Sequence, residues 1–215
     1  MANSILFVFI YIMDYRSFIF LFFLFAGQSV AKTATSIEST LSRCAVCHGS
    51  DGNASVNKTY PKLAGQNAVY LLKALKDFRP GIKHGRYNAV MKAMLVPLSE
   101  KEMEEIVNYY AILPGSIDAA QPDLIPLGQR LYRGGDVTKG IPACLACHGP
   151  AGLGNPFAGF PRLSGQHAAY LVKELKAFRA GKRIDDKRQM MSVIAKKMSN
   201  ADIAAVASYI SGLYF

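Results

Sequence analysis

All four cysteines of this 215-residue chain fall in two copies of one motif, Cys44-Ala45-Val46-Cys47-His48 and Cys144-Leu145-Ala146-Cys147-His148. Cys-x-x-Cys-His is the attachment signature of c-type haem. Two thiols at this spacing reach the two vinyl groups on one edge of a porphyrin. The adjacent histidine then falls under the iron as its proximal ligand. Cys44, Cys47, Cys144 and Cys147 are therefore the candidate points of covalent attachment. His48 and His148 are the candidate axial ligands. Two other chemistries use the same residue types. A thioredoxin-like pair would sit in a βαβ context, and no strand alternation is evident. A zinc site wants four ligands per metal. The other histidines, His84 and His167, do not occupy matching positions, and both read as exposed rather than ligating.

The spacing of the two motifs extends to everything around them. Subtracting 100 from a position in the second half returns the same residue at Gly149, Gly152, Pro161, Leu163, Gly165, Gln166, Tyr170, Leu171, Lys173, Phe178, Arg179, Met191 and Ser199. The register holds from Cys44 to near Tyr109, which marks a duplicated domain. This register also selects the sixth iron ligand. Met94 faces Ile194, Met103 faces Ile203, Met190 faces Val90 and Met198 faces Leu98. Only Met91 and Met191 agree, each 43 residues after its histidine (91 − 48 and 191 − 148). Filled axial positions suit electron transfer, and a methionine raises the potential. Met190 is the competing choice, being adjacent to Met191. A ligating histidine usually donates its other ring hydrogen to a carbonyl. Pro61 and Pro161, at equal intervals after their histidines, are the candidate acceptors.

Each repeat reads as helical, so the fold class is all-α with two tandem domains. In Ala68 to Arg79, Leu71, Ala74, Leu75 and Phe78 share a face. Pro80-Gly81 ends that helix. Ser99 with Glu102, and Ser199 with Asp202, are capping boxes that open the last helix of each half. A further helix is expected before each motif, near Ile37 to Arg43 and Leu127 to Arg133. Only the second half carries the insert Gly134 to Gly140. Gly65-Gln66 and Gly165-Gln166 read as starts of the middle helices. Tyr60 or Phe160, Tyr70 or Tyr170, and Phe78 or Phe178 are expected to wall the haems. Asp185 and Asp186, beside Lys187 and Arg188, read as a solvated run.

The first thirty residues differ from the rest. The apolar run Ser17 to Ala26 follows Arg16, and Ser29-Val30-Ala31 is a cleavage pattern, so residues 1–31 read as a signal peptide. A start at Met13 would make that signal compact. Asp14 and Arg16 interrupt the roughly 20-residue span that an uncleaved anchor would need. The remaining boundaries are 32–115 for the first domain, 116–122 for the linker and 123–215 for the second domain. Export places the chain in the periplasm, where free thiols are paired or consumed. The net charge is +10. Residues 32–115 hold 11 Lys plus Arg against 7 Asp plus Glu, and residues 116–215 hold 13 against 7. That balance steers an acidic partner or anionic lipid, and nucleic acid is excluded for an exported haem protein.

On Cys44-Ala45-Val46-Cys47-His48-Gly49, Pro61-Lys62-Leu63-Ala64-Gly65-Gln66, Phe160 through Tyr170, Leu131-Tyr132-Arg133-Gly134-Gly135 and Ser199 through Ile203, the chain closely resembles the cytochrome c4 family. The resemblance covers essentially the whole chain after the signal. It implies two class I cytochrome c folds related by a pseudo-twofold axis, each with one covalently bound haem c. It also implies His/Met ligation and haem propionates that meet near the interface. The implied function is electron transfer, not catalysis of bond making. The implied partners are a quinol-oxidising complex or other donor and a membrane-bound terminal oxidase, with peripheral association at the inner membrane. Gly128 with Tyr132 fits the usual contact of first helix with last, whereas Ser36 to Leu41 offers no clean equivalent. A two-haem peroxidase-like enzyme, and an electron-entry subunit of a larger complex, are the alternatives.

Overall fold

Short helices dominate the computed structural model, which describes residues 37–80, 86–184 and 189–214. The signal-peptide reading of residues 1–31, the Met13 start, Ser36, Gly81, His84 and the run Asp185 to Arg188 lie outside the described residues. The helix before the first motif, α1, covers residues 37–48. Within its opening turns, the Ser42 hydroxyl donates back to the Glu38 carbonyl at 2.9 Å.

The first repeat continues with α2 (Ala68–Phe78), α3 (Ala89–Leu95) and α4 (Glu100–Ile112). The second contains α5 (Ile125–Gly134), α6 (Leu145–His148), α7 (Ala168–Arg179), α8 (Met190–Lys196) and α9 (Asn200–Ser211). Among the described residues the only β pairing is two isolated bridges, Asp136 with Ile141 and Asn155 with Phe160. The expected face of α2 is inward at Leu71 and Ala74, which are buried. Both capping boxes form. Ser99 accepts from the Glu102 N–H and Ser199 from the Asp202 N–H, with each carboxylate reaching back to the serine N–H. Each box satisfies backbone donors that the helix itself cannot.

The matched arginines explain why Arg79 and Arg179 recur. Arg79 donates to the Leu98 carbonyl and, at 2.9 Å, to Glu100. Arg179 donates to the Met198 carbonyl at 3.0 Å and to Asn200 at 2.7 Å. Each arginine thus ties the end of the middle helix to the start of the last one.

In the second domain α5 crosses α9 at close range. A Cβ at Gly128 would lie 2.3 Å from the Ala205 carbonyl oxygen and 2.6 Å from Tyr209 Cβ, so only glycine fits there. Leu131 and Tyr132, one turn on, are fully buried against Ile203, Val206 and Ile210. The Gly128-to-Tyr132 expectation is met. The segment Leu113 to Gln121 between the repeats is non-helical, and Pro122–Leu124 form a single 3-10 turn before α5. No described helix is long and apolar enough to cross a membrane.

Candidate functional site

In both repeats the motif histidine is buried, with 7% of its surface exposed. His48 Nδ1 donates to the Pro61 carbonyl at 2.9 Å, and His148 Nδ1 to the Pro161 carbonyl at 3.1 Å. Burial pushes both imidazoles below their ordinary range, partly offset by those carbonyls, so each ring is neutral near pH 7. A neutral ring with Nδ1 engaged offers one nitrogen, Nε2, to a metal. Tyr60 and Phe160 pack at matching tilts beside these rings, with centroids 6.4 and 6.0 Å away.

No disulfide joins the four cysteines, and Cys147 is exposed. Before any attachment, burial raises the Cys44 thiol and pushes Cys144 up to about 11. A buried tyrosine lies within electrostatic reach of each: Tyr110, from the last helix, near Cys44, and Tyr132, from the first, near Cys144. These tyrosines are not repeat mates, which hid them from the register comparison. Tyr132 also donates to the Gly149 carbonyl at 2.7 Å.

The methionines differ in burial, and Met94 is half-buried. Met103 and Met198 are core residues, 0% and 5% exposed, and Met190 is on the surface. Met91 and Met191 are half-buried at the openings of α3 and α8. Neutral imidazole, two thiols and a half-buried thioether are a donor set that fits c-type haem in both repeats. Among the described residues, no cluster of three or more His, Cys, Asp or Glu side chains offers a competing metal site.

Around these sites the repeats grip each other reciprocally. Gln66 accepts from the Arg162 N–H at 2.8 Å and donates to the Arg162 carbonyl at 2.8 Å. Gln166 does the same to Lys62, at 2.8 and 3.0 Å. These swapped pairs display the pseudo-twofold relation. The two glutamines stand just ahead of the middle helices, as expected, but their side chains serve the other repeat. Tyr70 and Tyr170 point their hydroxyls across the same boundary, each receiving a 3.0 Å bond from Arg183 and Arg86 respectively. Both arginines also reach Glu174, and they stack over Phe178 and Phe78.

His167 corrects a sequence expectation. It is fully buried, not exposed. Its Nδ1 donates to Asp118 of the linker at 2.8 Å, and Ser55 Oγ of the first repeat lies 3.0 Å from its Nε2. Asp118 also accepts from Lys62 at 2.9 Å. The matching Asn67 bonds directly to the Phe160 carbonyl at 3.1 Å. The side-chain partners of His167 come from the linker and the other repeat, and no single-repeat pattern carries that information.

A family model described as Cytochrome c matches twice, over residues 26–111 and 126–213. The chain is 47% identical over 178 residues to a cytochrome c4 of Stutzerimonas stutzeri, covering 80% of this chain and 84% of that one. It is 38% identical to a thiosulfate dehydrogenase electron acceptor of Stutzerimonas stutzeri strain A1501, over 79% and 78% of the two chains. The crystal structure of reduced recombinant cytochrome c4 from Pseudomonas stutzeri superimposes with a TM-score of 0.78 at 45% identity, covering 82% of this chain and 98% of that one.

Proposed function

Because the chain belongs to the cytochrome c4 family, a group of dihaem electron carriers, we propose that it works in the periplasm, passing electrons from a quinol-oxidising complex or other donor to a membrane-bound terminal oxidase. The chain carries two covalently bound haem c groups. When bound, each haem supplies a one-electron couple at its iron. In this reading Cys44 and Cys47 hold the first haem, and Cys144 and Cys147 the second. His48 with Met91, and His148 with Met191, would hold the two irons. The domains run over 32–115 and 123–215, joined by 116–122, and the chain associates peripherally with the inner membrane.

The observation that carries this reading is the site built twice over. In each copy a neutral, buried histidine is oriented by the carbonyl of a proline 13 residues on, with a half-buried methionine at the same offset. The chain's own groups do three things. The proline carbonyls fix the tautomer and direction of the imidazoles. With a haem bound, Met91 and Met191 would ligate its iron and so keep peroxide out. The cationic surface, from a net charge of +10, steers an acidic partner. A second reading rests on the likeness to the thiosulfate dehydrogenase acceptor, in which a dehydrogenase rather than a quinol-oxidising complex supplies the electrons.

The test is maturation of the full chain in a host that builds c-type cytochromes, followed by intact mass and visible spectra. Two covalent haems, both low-spin with a methionine–iron charge-transfer band, are expected. Met91→Ala and Met191→Ala should each convert one haem to high spin. A single haem, or a high-spin fraction in the unmutated protein, would overturn the assignment and favour the peroxidase-like alternative. Transfer to the oxidase should slow as salt rises.

A further inference from the structure

We propose that each domain's glutamine tunes the axial histidine of the other domain, Gln66 acting on His148 and Gln166 on His48, through one shared peptide group. The proposal rests on the reading that these histidines bind iron. The Pro161 carbonyl, which accepts from His148 Nδ1 at 3.1 Å, and the Arg162 N–H belong to the same peptide unit. That N–H donates to Gln66 Oε1 of the first domain at 2.8 Å. The relay therefore runs from the glutamine oxygen, through one planar amide, to the ring nitrogen. Its mirror image runs from Gln166 Oε1 through the Lys62 N–H (2.8 Å) and the Pro61 carbonyl to His48 Nδ1 (2.9 Å). Each glutamine is held from both sides, because its Nε2 donates to the carbonyl of the residue whose N–H it receives. That pairing fixes which end of each amide is oxygen. Both side chains are buried, 6% and 7% exposed, so water does not compete.

The physical effect follows from polarisation along a chain of hydrogen bonds, each strengthening the next by roughly 10–30% in condensed phase. An acceptor on the N–H makes the carbonyl oxygen of the same amide more negative. That oxygen then draws harder on the Nδ1 hydrogen, and the imidazole becomes a more basic ligand. A more basic ligand favours the oxidised iron and lowers the potential. Gln66 and Gln166 are positioning residues in this account, touching neither iron nor porphyrin. The relay also means that separating the domains would alter both sites at once.

The experiment uses the full dihaem protein, unmutated and as Gln66→Met, Gln166→Met and Asn67→Ala. Asn67 is the control, since it bonds across the same boundary to the Phe160 carbonyl, on a peptide whose nitrogen belongs to Pro161 and bears no hydrogen. Each haem's potential is followed by NMR through its own axial-ligand resonances. The Nδ1 hydrogens of the nitrogen-15-labelled histidines are read in the reduced state. Gln66→Met should raise the potential of the second-domain haem, move the His148 ring hydrogen upfield, and shift the first-domain haem less. Gln166→Met should give the reverse pattern, and Asn67→Ala should give neither. Equal shifts of both haems, or the same shift from Asn67→Ala, would sink the proposal and leave simple loosening of the interface. Should one glutamine variant fail to accumulate, the other carries its own crossed prediction. Absence of histidine–iron signals in the unmutated protein would be a failure of ligation, distinct from a failure of the relay.

Discussion

The two domains deliver the same motif by different means. In the first, residues 37–48 form one helix whose last turns are Cys44 to His48. In the second, α5 stops at Gly134, an insert intervenes, and the motif sits on the separate short helix α6. The insert is held down at its own ends. Asp136 and Ile141 pair as an isolated bridge, and Lys139 bonds Asp202 at 2.8 Å. Asp202 therefore does two jobs where Glu102 does one, for it also closes the capping box of α9. What differs between the domains is how the helix before the motif is tethered. What does not differ is the histidine–carbonyl bond, the arginine tie and the glutamine grip.

That contrast can be broken most severely at Gly128. Gly128→Leu should cost about 3 kcal/mol by overpacking against Ala205 and Tyr209. Thermal unfolding followed at each haem should then show the second domain melting first. Asp202→Asn should come next, at about 2 kcal/mol, because a buried carboxylate loses its charge-assisted bonds. Glu102→Gln, which keeps a capping side chain at an exposed position and loses only its charge, should cost less than about 1 kcal/mol. Equal losses from Asp202→Asn and Glu102→Gln in denaturant titrations would erase the distinction. Burial raises the Asp202 carboxyl, but Lys139 and Ser199 together outweigh it and hold the group low. Its contribution is therefore complete above the ordinary carboxylate range and lost as pH falls through its depressed folded value.

The smallest effect should sharpen the comparison at position 67/167. Burial, against the pull of Asp118, keeps His167 below the ordinary imidazole range. The unfolded chain then takes the proton first, so stability should decline as pH drops below about 6.5. His167→Asn, which installs the residue of the first repeat, should flatten that part of the melting-temperature profile. His48 and His148 are the same in both proteins, so the difference between the two profiles isolates His167.

Much of the site was legible because the chain could be compared with itself. The filter that kept Met91 and Met191 discarded Met103 and Met198, which are core residues, and Met94, which is half-buried like the pair it kept. The proline carbonyls followed from equal intervals after the histidines. What escaped lies at the boundary between repeats. Gln66 and Gln166 match, yet periodicity within one repeat says only that they precede a helix. His167, Arg86 and Arg183 have no identical residue at 67, 186 and 83, so the register gave no warning of their burial. Tyr110 and Tyr132 reach the cysteines from different helices, a convergence that no fixed offset reveals.

The swapped glutamine bonds have the form of an isologous contact, the kind that two identical subunits make about a twofold axis. In a homodimer one substitution at such a contact strikes both halves of the interface together. Here the two halves are written at separate positions of a single chain, so a change at one leaves the other standing. The copies are thereby free to drift apart one residue at a time. Position 67/167 records such a drift: an asparagine that bonds its neighbour directly on one side, and a histidine that reaches Ser55 and Asp118 on the other.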